Sequence, residues 1–205
     1  MKRLYLLRHG QTEFNVKKLV QGRCDSPLTD LGHQQARAAA AWLKAHGVVP
    51  DKVVSSPLGR AMDTARLVAC ELLGPDAAVE PCEGIIERSY GTFEEGSHDA
   101  LPTDVWDPGE DLVPFGGEGS HALQERMVAT LTNLMSAKGK TLLAVSHGSR
   151  QFIKAAAPEG FELPTKLPNC AIMIFDFEES APQAEGEPLQ CKFTLQQIVD
   201  PQQSN

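Results

Sequence analysis

The chain lacks the long apolar segments of membrane and secreted proteins. No stretch of its 205 residues approaches the roughly 20 consecutive apolar residues of a membrane-spanning helix. The first apolar run, Leu4–Leu7, is short and ends in charge, so we predict a strand there rather than a signal peptide. These absences predict a cytoplasmic protein with no membrane partner.

The cysteine pattern argues against a disulfide framework and against a thiolate zinc site. The five cysteines are odd in number, and no two of them form a Cys-x-x-Cys pair. Reduced thiols in a cytosol agree with this usage.

An excess of positive charge is also missing. The formal net charge is −8, which argues against a nucleic-acid partner because phosphate backbones attract clustered Lys and Arg. An anionic substrate would therefore need a locally positive pocket. With 41% hydrophobic and 22% charged residues, the composition is that of an ordinary globular protein, and we expect one domain over residues 1–205.

Apolar periodicity alternates between strand and helix along the chain. Predicted strands are 2–7, 53–56, 78–81, 141–146, 171–177 and 192–199. Predicted helices are one from Thr29 or Asp30 to a stop at Gly47, then 58–73, 120–137 and 149–157. This order predicts an α/β fold, a three-layer αβα sandwich with a mostly parallel central sheet. The last two strands would be antiparallel around a polar loop at 178–188, and 94–119 would be an irregular acidic insertion beside the active site.

Two histidine–glycine pairs directly follow apolar strands. His9-Gly10 comes after Leu4–Leu7 and Arg8, and His147-Gly148 comes after the predicted strand 141–146. Open α/β sheets place their chemistry at such carboxyl ends. An arginine fork matches phosphate, and a histidine with a pKa of about 6.5 can be a neutral nucleophile. One such histidine is usually structural, but two together indicate a site.

Four further residues allow both a functional and a structural interpretation. Arg60, in the first turn of a predicted helix, could bind an anion or be solvated. Thr12 and Asn15 could donate to phosphate or form a turn and helix cap. Glu87 could donate a proton or mark a strand-to-loop junction.

Together these pieces resemble the histidine phosphatase superfamily, the phosphoglycerate-mutase-like enzymes. The matching segments, in the family's order, are LRHGQT at 7–12, QGRCDSPLTDLGHQQA at 21–36, SSPLGRA at 55–61, ERSYG at 87–91 and SHG at 146–148. The resemblance implies that His9 attacks phosphorus and becomes a phosphohistidine. It implies that Arg8, Arg60 and His147 hold the phosphoryl oxygens, and that Glu87 protonates the leaving oxygen.

The resemblance also implies further phosphate-binding residues and a reaction that needs no metal or cofactor. Phosphate- or substrate-binding residues would be Asn15, Thr12, Gln21, Gly22, Arg23 and Gly148. No metal and no cofactor is needed, because the arginines and His147 supply the positive charge. A zinc hydrolase is disfavoured since no third ligand lies at suitable spacing. The expected partner is a small phosphomonoester, and a homodimer is left open.

The sequence favours a phosphatase over a mutase. The segment 87–91 is similar to the mutase branch, whose members carry basic residues on a longer insertion. Here 89–125 contains no Lys or Arg and nine acidic residues, which we expect to repel small multiply charged anions. An insertion that faces solvent would have no such effect. A non-catalytic regulator that binds a phosphorylated ligand is the remaining alternative.

Overall fold

The molecule is built around one six-stranded sheet. A computed structural model describes residues 1–180 and 190–203. Its strands are β1 (Lys2–Arg8), β2 (Lys52–Ser55), β3 (Glu80–Pro81), β4 (Thr141–Ser146), β5 (Ile172–Ser180) and β6 (Gln190–Val199). The order across the sheet is β3-β2-β4-β1-β5-β6. The four strands from β3 to β1 are parallel, and β5 and β6 are antiparallel. The predicted α/β class and mostly parallel sheet are therefore confirmed.

Within residues 1–180 and 190–203, five helices accompany the sheet. They are α1 (Glu13–Lys17), α2 (Asp30–Ala45), α3 (Gly59–Leu73), α4 (Ser120–Ser136) and α5 (Arg150–Ala156). Short 3-10 turns occupy Glu83–Ile85, Gly91–Phe93, His98–Ala100 and Val113–Phe115. The predicted α2, α3, α4 and α5 are confirmed to within a few residues, whereas the sequence analysis missed α1. Among the described residues, no helix is long and apolar enough to span a bilayer.

Alternation along β1 explains the layered arrangement. Leu4 and Leu6 belong to one hydrophobic core, which packs against α4 and α5, while Tyr5 and Leu7 belong to a second core against α2 and α3. Successive side chains of a strand point to opposite faces, so a strand buried on both sides is apolar throughout. The helices therefore cover both faces of the sheet, as predicted.

The segment predicted as a polar loop, 178–188, is in part strand. The strands β5 and β6 extend further than expected, because residues 178–180 pair with residues 190–192. Polar residues can form part of a strand at the edge of a sheet when they face solvent. A search for apolar runs does not detect such residues. The rest of the predicted loop, 181–188, lies outside the described residues.

Candidate active site

The parallel strands bring the predicted residues to one edge of the sheet. Arg8 is the last residue of β1 and pairs in register with Ser146, the last residue of β4. His9 and His147 are the next residues along, and their ring centroids lie 5.2 Å apart. Arg60 lies in the first turn of α3, which follows β2. We refer to Arg8, His9, Arg60 and His147 as the strand-end cluster.

Close backbone packing fixes the turn that carries His9. A Cβ atom on Gly10 would lie 2.6 Å from the carbonyl oxygen of Gly32, at the start of α2. The Gly10 N–H also donates to the Thr64 hydroxyl of α3 at 3.0 Å. A side chain at position 10 would therefore push α2 away from the turn.

The hydrogen bond of His9 determines its tautomer. Its Nδ1 lies 2.7 Å from the Gly10 carbonyl oxygen, which can only accept. The proton is therefore on Nδ1, and the lone pair of Nε2 is free. Burial, together with the charges of Arg60 and Arg8, holds the pKa of His9 well below its usual range. His9 is thus neutral, and its unprotonated Nε2 is free to act as a nucleophile.

His147 presents its other ring nitrogen to the site. Its Nε2 lies 2.8 Å from the hydroxyl of Ser56, and its Nδ1 lies 3.8 Å from an oxygen of Glu87. When Ser56 donates to Nε2, the Nδ1 of a neutral ring carries the proton and can donate to a ligand. Burial and the nearby Arg60, His9 and Arg8 hold the pKa of His147 well below its usual range.

The two arginines are anchored through terminal nitrogens of the guanidinium, and NH1 of Arg60 also lies 3.5 Å from Oδ1 of Asp25. Arg60 donates to the carbonyl oxygens of Gly22 and Cys24, each at 2.7 Å, and Arg8 donates to the carbonyl oxygen of Leu167. Burial lowers the pKa of Arg8 to about 10 and also lowers the pKa of Arg60. Both remain cations at neutral pH, and the charge of Glu87 acts in favour of their ionised form.

Unpartnered donors mark the place where a ligand would bind. In the described part of the chain, four buried side-chain nitrogens have no hydrogen-bond partner: Arg8 Nε, Arg60 Nε, His147 Nδ1 and Arg150 Nε. Such groups are rare in folded proteins, and each calls for a partner. Three of the four belong to the strand-end cluster, and the fourth, Arg150, lines the same cavity as Arg8 and His9. The arrangement can therefore bind a small oxyanion.

Comparison with known proteins identifies the family. The sequence profile of the histidine phosphatase superfamily (branch 1) matches residues 4–187. The chain belongs to this superfamily. It is 32% identical over 199 residues to a protein named "Probable phosphoglycerate mutase GpmB" from Enterobacter sp. (strain 638), with 91% of this chain and 90% of that protein covered.

Solved structures of the superfamily share the fold. A phosphoserine phosphatase variant from Entamoeba histolytica, in complex with phosphoserine, is 28% identical, with a TM-score of 0.73 and 98% of both chains covered. A phosphoglycerate mutase from Bacillus anthracis is 20% identical, with a TM-score of 0.78 and coverage of 98% of this chain and 94% of that one. The phosphoglycerate-mutase-like fold is therefore confirmed.

The predicted accessory residues divide into two groups. The cavity is lined by four of them: Asn15, Gln21, Gly22 and Gly148. Asn15 uses its Oδ1 to accept from the Thr12 N–H, at 3.1 Å, and from Asn169, at 3.2 Å, so its NH2 group is what it can offer to an oxyanion.

Thr12 and Arg23 are not among the described lining residues. Thr12 is fully buried, caps α1 in a reciprocal capping box with Asn15, and donates to Gln21 at 2.9 Å. These contacts agree with the helix-cap interpretation, and direct contact of Thr12 with phosphate stays a prediction. Arg23 lies 3.8 Å from a Glu118 oxygen and donates at 3.5 Å to the Glu87 carbonyl, so it supports the cavity wall.

Among the described residues, no carboxylate of the acidic insertion lines the cavity. Five of its carboxylates accept hydrogen bonds within the fold: Glu94, Asp104, Asp107, Glu110 and Glu118. The insertion lines the cavity with His98, Val105 and Trp106, and among the described lining residues Glu87 is the sole carboxylate. A count of charges could not reveal that most of these carboxylates already have partners.

Sequence reasoning missed several of the described lining residues, among them Trp106 and Arg150. The ring centroid of Trp106 lies 5.3 Å from the guanidinium carbon of Arg8. Its segment is fixed on both sides, since Tyr90 donates to the Val105 carbonyl at 2.8 Å and Gln151 donates to Asp107 at 2.7 Å. A tryptophan in an otherwise polar insertion was the available signal.

Proposed function

We propose that the protein is a metal-independent phosphomonoester hydrolase that acts on a small phosphorylated metabolite through a phosphohistidine at His9. The observation that carries the proposal is the set of three unpartnered donors on Arg8, Arg60 and His147 beside the free lone pair of His9. Such donors match the oxygens of a transferring phosphoryl group.

The first step transfers the phosphoryl group to the protein. His9 Nε2 forms a bond to phosphorus as the bond from phosphorus to the leaving oxygen breaks. Glu87 gives its proton to that oxygen, so the product leaves as a neutral alcohol. Glu87 suits this role because its side chain is 19% exposed and lies 3.8 Å from the Nδ1 of His147.

The second step regenerates the enzyme. The Glu87 carboxylate takes a proton from water as the water oxygen bonds to phosphorus, and the bond from phosphorus to His9 breaks. Orthophosphate is released, and His9 is neutral again. Uncatalysed phosphate-monoester hydrolysis needs acceleration of up to ~10²¹-fold, which positioning and fixed positive charge must largely supply.

The insertion favours hydrolysis over mutase chemistry. Mutases of this superfamily hold their multiply anionic ligands with basic residues of the insertion, whereas residues 89–125 of this chain contain no Lys or Arg. The likeness to the Entamoeba phosphoserine phosphatase agrees with this interpretation.

A phosphoglycerate mutase is the second candidate. It is favoured by the 32% identity to the GpmB proteins, which are named as probable mutases. Incubation with 3-phosphoglycerate and its bisphosphate primer separates the two. The proposal predicts release of orthophosphate with little isomerisation, and efficient isomerisation with little released phosphate would overturn it.

The direct test is hydrolysis of p-nitrophenyl phosphate with and without EDTA. We expect activity that survives the chelator, because the arginines and His147 supply the positive charge. Loss of activity in EDTA, restored by a divalent metal, would contradict the mechanism. A panel of phosphorylated metabolites, assayed for released orthophosphate, then identifies the substrate.

A further inference from the structure

Asp25 contacts both ends of Arg60, although it is not among the described residues that line the cavity. Its Oδ1 accepts from the backbone N–H of Arg60 at 3.3 Å, and the same oxygen lies 3.5 Å from NH1 of the Arg60 guanidinium. The side chain of Arg60 therefore turns back toward the N-terminus of α3, a direction that long side chains favour in a helix. Two contacts from one oxygen restrict the rotamers that Arg60 can adopt.

This restriction determines where the free donor of Arg60 lies. The carbonyl oxygens of Gly22 and Cys24 accept from the two terminal nitrogens, each at 2.7 Å, and Asp25 directly follows them in the chain. Nε lies between the held backbone and the held terminal nitrogens, and it is the side-chain nitrogen of Arg60 without a partner. A change of rotamer would move Nε, so the loop 22–25 sets the position of the donor that a ligand meets.

Asp25 also occupies the N-terminus of α3. Leu58, which precedes this helix, makes no side-chain hydrogen bond to it, whereas Oδ2 of Asp25 accepts from the Gly59 N–H. The carboxylate thus supplies the cap and the negative charge that a helix N-terminus favours. Gly59 permits this approach, because a Cβ atom there would overlap Oδ2 of Asp25. With these N–H groups taken, what Arg60 offers to an oxyanion is its side chain.

We propose that Asp25 is a positioning residue, which aims Nε of Arg60 at the transferring phosphoryl group without touching the substrate. The side chain of Asp25 is 46% exposed, whereas that of Arg60 is fully buried. An ion pair with an exposed partner contributes little to stability, so the main effect of this contact should be on ligand binding. The inference rests on the proposed function, in which Arg60 holds a phosphoryl oxygen.

The test measures binding of orthovanadate, a phosphate analogue, by calorimetry, which needs no turnover. Asp25→Ala should weaken binding about tenfold, because Arg60 can then leave the rotamer in which Nε meets the ligand. The matched control is Asp63→Ala, which removes an exposed aspartate of the same helix that pairs with Arg66. The control should bind vanadate as tightly as the parent protein. Parent affinity in Asp25→Ala would overturn the proposal.

Gly59→Ala disturbs the same contact without removing the carboxylate. The added methyl group displaces the side chain of Asp25, while alanine favours a helix more than glycine does and so offsets the lost cap. We therefore expect vanadate to bind about tenfold more weakly, with a urea midpoint close to that of the parent protein. A lower midpoint with full affinity would mean that the contact serves stability alone and would overturn the proposal.

A third comparison asks whether Asp25 acts through Arg60. Arg60→Met keeps a long apolar side chain and removes the donors. In that background Asp25→Ala should weaken vanadate binding by less than about twofold, because two residues that act through one contact are not additive. A further loss of about tenfold would place the action of Asp25 elsewhere and overturn the proposal.

The parent protein separates this inference from the proposed function. If vanadate does not bind the parent protein, the proposed function itself is wrong. If vanadate binds the parent protein and binds equally well to Asp25→Ala and Gly59→Ala, only the positioning role is wrong.

Discussion

The strand-end cluster and the acidic insertion differ in how their polar groups are used. In the strand-end cluster, regular elements bury cations and imidazoles and leave one donor of each of Arg8, Arg60 and His147 without a partner. In the insertion, irregular backbone brings carboxylates to N–H groups and cations inside the fold, as with Glu118 and Arg126 at 2.7 Å. The first region holds its donors ready for a ligand, whereas the second uses its charges to hold itself in shape.

This difference separates residues placed for chemistry from residues that hold the fold together. Buried donors without partners destabilise a fold unless a ligand satisfies them, so their concentration at one place indicates function. Carboxylates that already accept hydrogen bonds contribute to stability instead. Substitutions in the strand-end cluster should therefore affect catalysis, and those among the insertion's carboxylates should affect unfolding.

The largest expected effect comes from removing the nucleophile. His9→Ala should lower kcat for p-nitrophenyl phosphate by about 10³-fold or more, because no other group can accept the phosphoryl group. The control is His121→Ala, since the side chain of His121 is 80% exposed on α4. If His9→Ala kept more than about a tenth of the wild-type rate, the covalent mechanism would be wrong.

The proton donor should show a dependence on the leaving group. Glu87→Gln removes the ionisable group and should lower kcat by about 10²-fold or more for alkyl phosphates, whose alkoxides leave poorly. For p-nitrophenyl phosphate the loss should be much smaller, because its phenolate leaves without help. Steady-state rates on both substrates check this, and equal losses would remove Glu87 from the proton-transfer role.

Substitutions in the insertion should change the free energy of unfolding rather than the catalytic rate. Glu118 binds Arg126 through two hydrogen bonds of 2.9 and 2.7 Å and is 14% exposed. Glu118→Gln should lower the free energy of unfolding by about 1–2 kcal/mol, measured in urea. The exposed Asp111 supplies the control variant, Asp111→Asn. A marked rise in kcat/KM for anionic substrates in Glu118→Gln would instead mean that the charge of the insertion repels those substrates.

The remaining effect is a loss of stability in mild acid. Above about pH 6.5, His9 and His147 are neutral in both the folded and the unfolded chain, so they add no pH dependence. Below it the unfolded chain takes up protons that the buried, neutral rings do not, so unfolding becomes easier. The slope can reach about 1.4 kcal/mol per pH unit for each ring.

Urea midpoints between pH 7.5 and 5.5 measure this slope. His9→Asn should make the midpoint less dependent on pH, because one of the two rings is gone. An unchanged slope in that variant would mean that His9 is protonated in the folded state.

The residues of the strand-end cluster could be predicted because regular strands and helices position them. Parallel strands with apolar runs put Arg8, His9 and His147 at one edge, and this can be predicted because the carboxyl ends of parallel strands coincide. The helix α1 was missed because five polar and apolar residues show no periodicity, although Thr12 and Asn15 form its capping box.

The insertion could not be predicted in the same way. The partners of its carboxylates are distant in sequence, as with Asp107 and Lys154, and an irregular backbone has no period that would reveal them. The position of Trp106 against Arg8 depends on those same contacts. Arg150 was missed because it lies outside the family's motifs and is revealed only by the donor that the fold leaves unsatisfied.

A crystal structure with orthovanadate tests the central claim most directly. We predict vanadium bonded to Nε2 of His9, with its oxygens within hydrogen-bond distance of Arg8, Arg60 and Nδ1 of His147. Vanadate bound elsewhere, or touching His9 while these three donors remain without partners, would contradict the account.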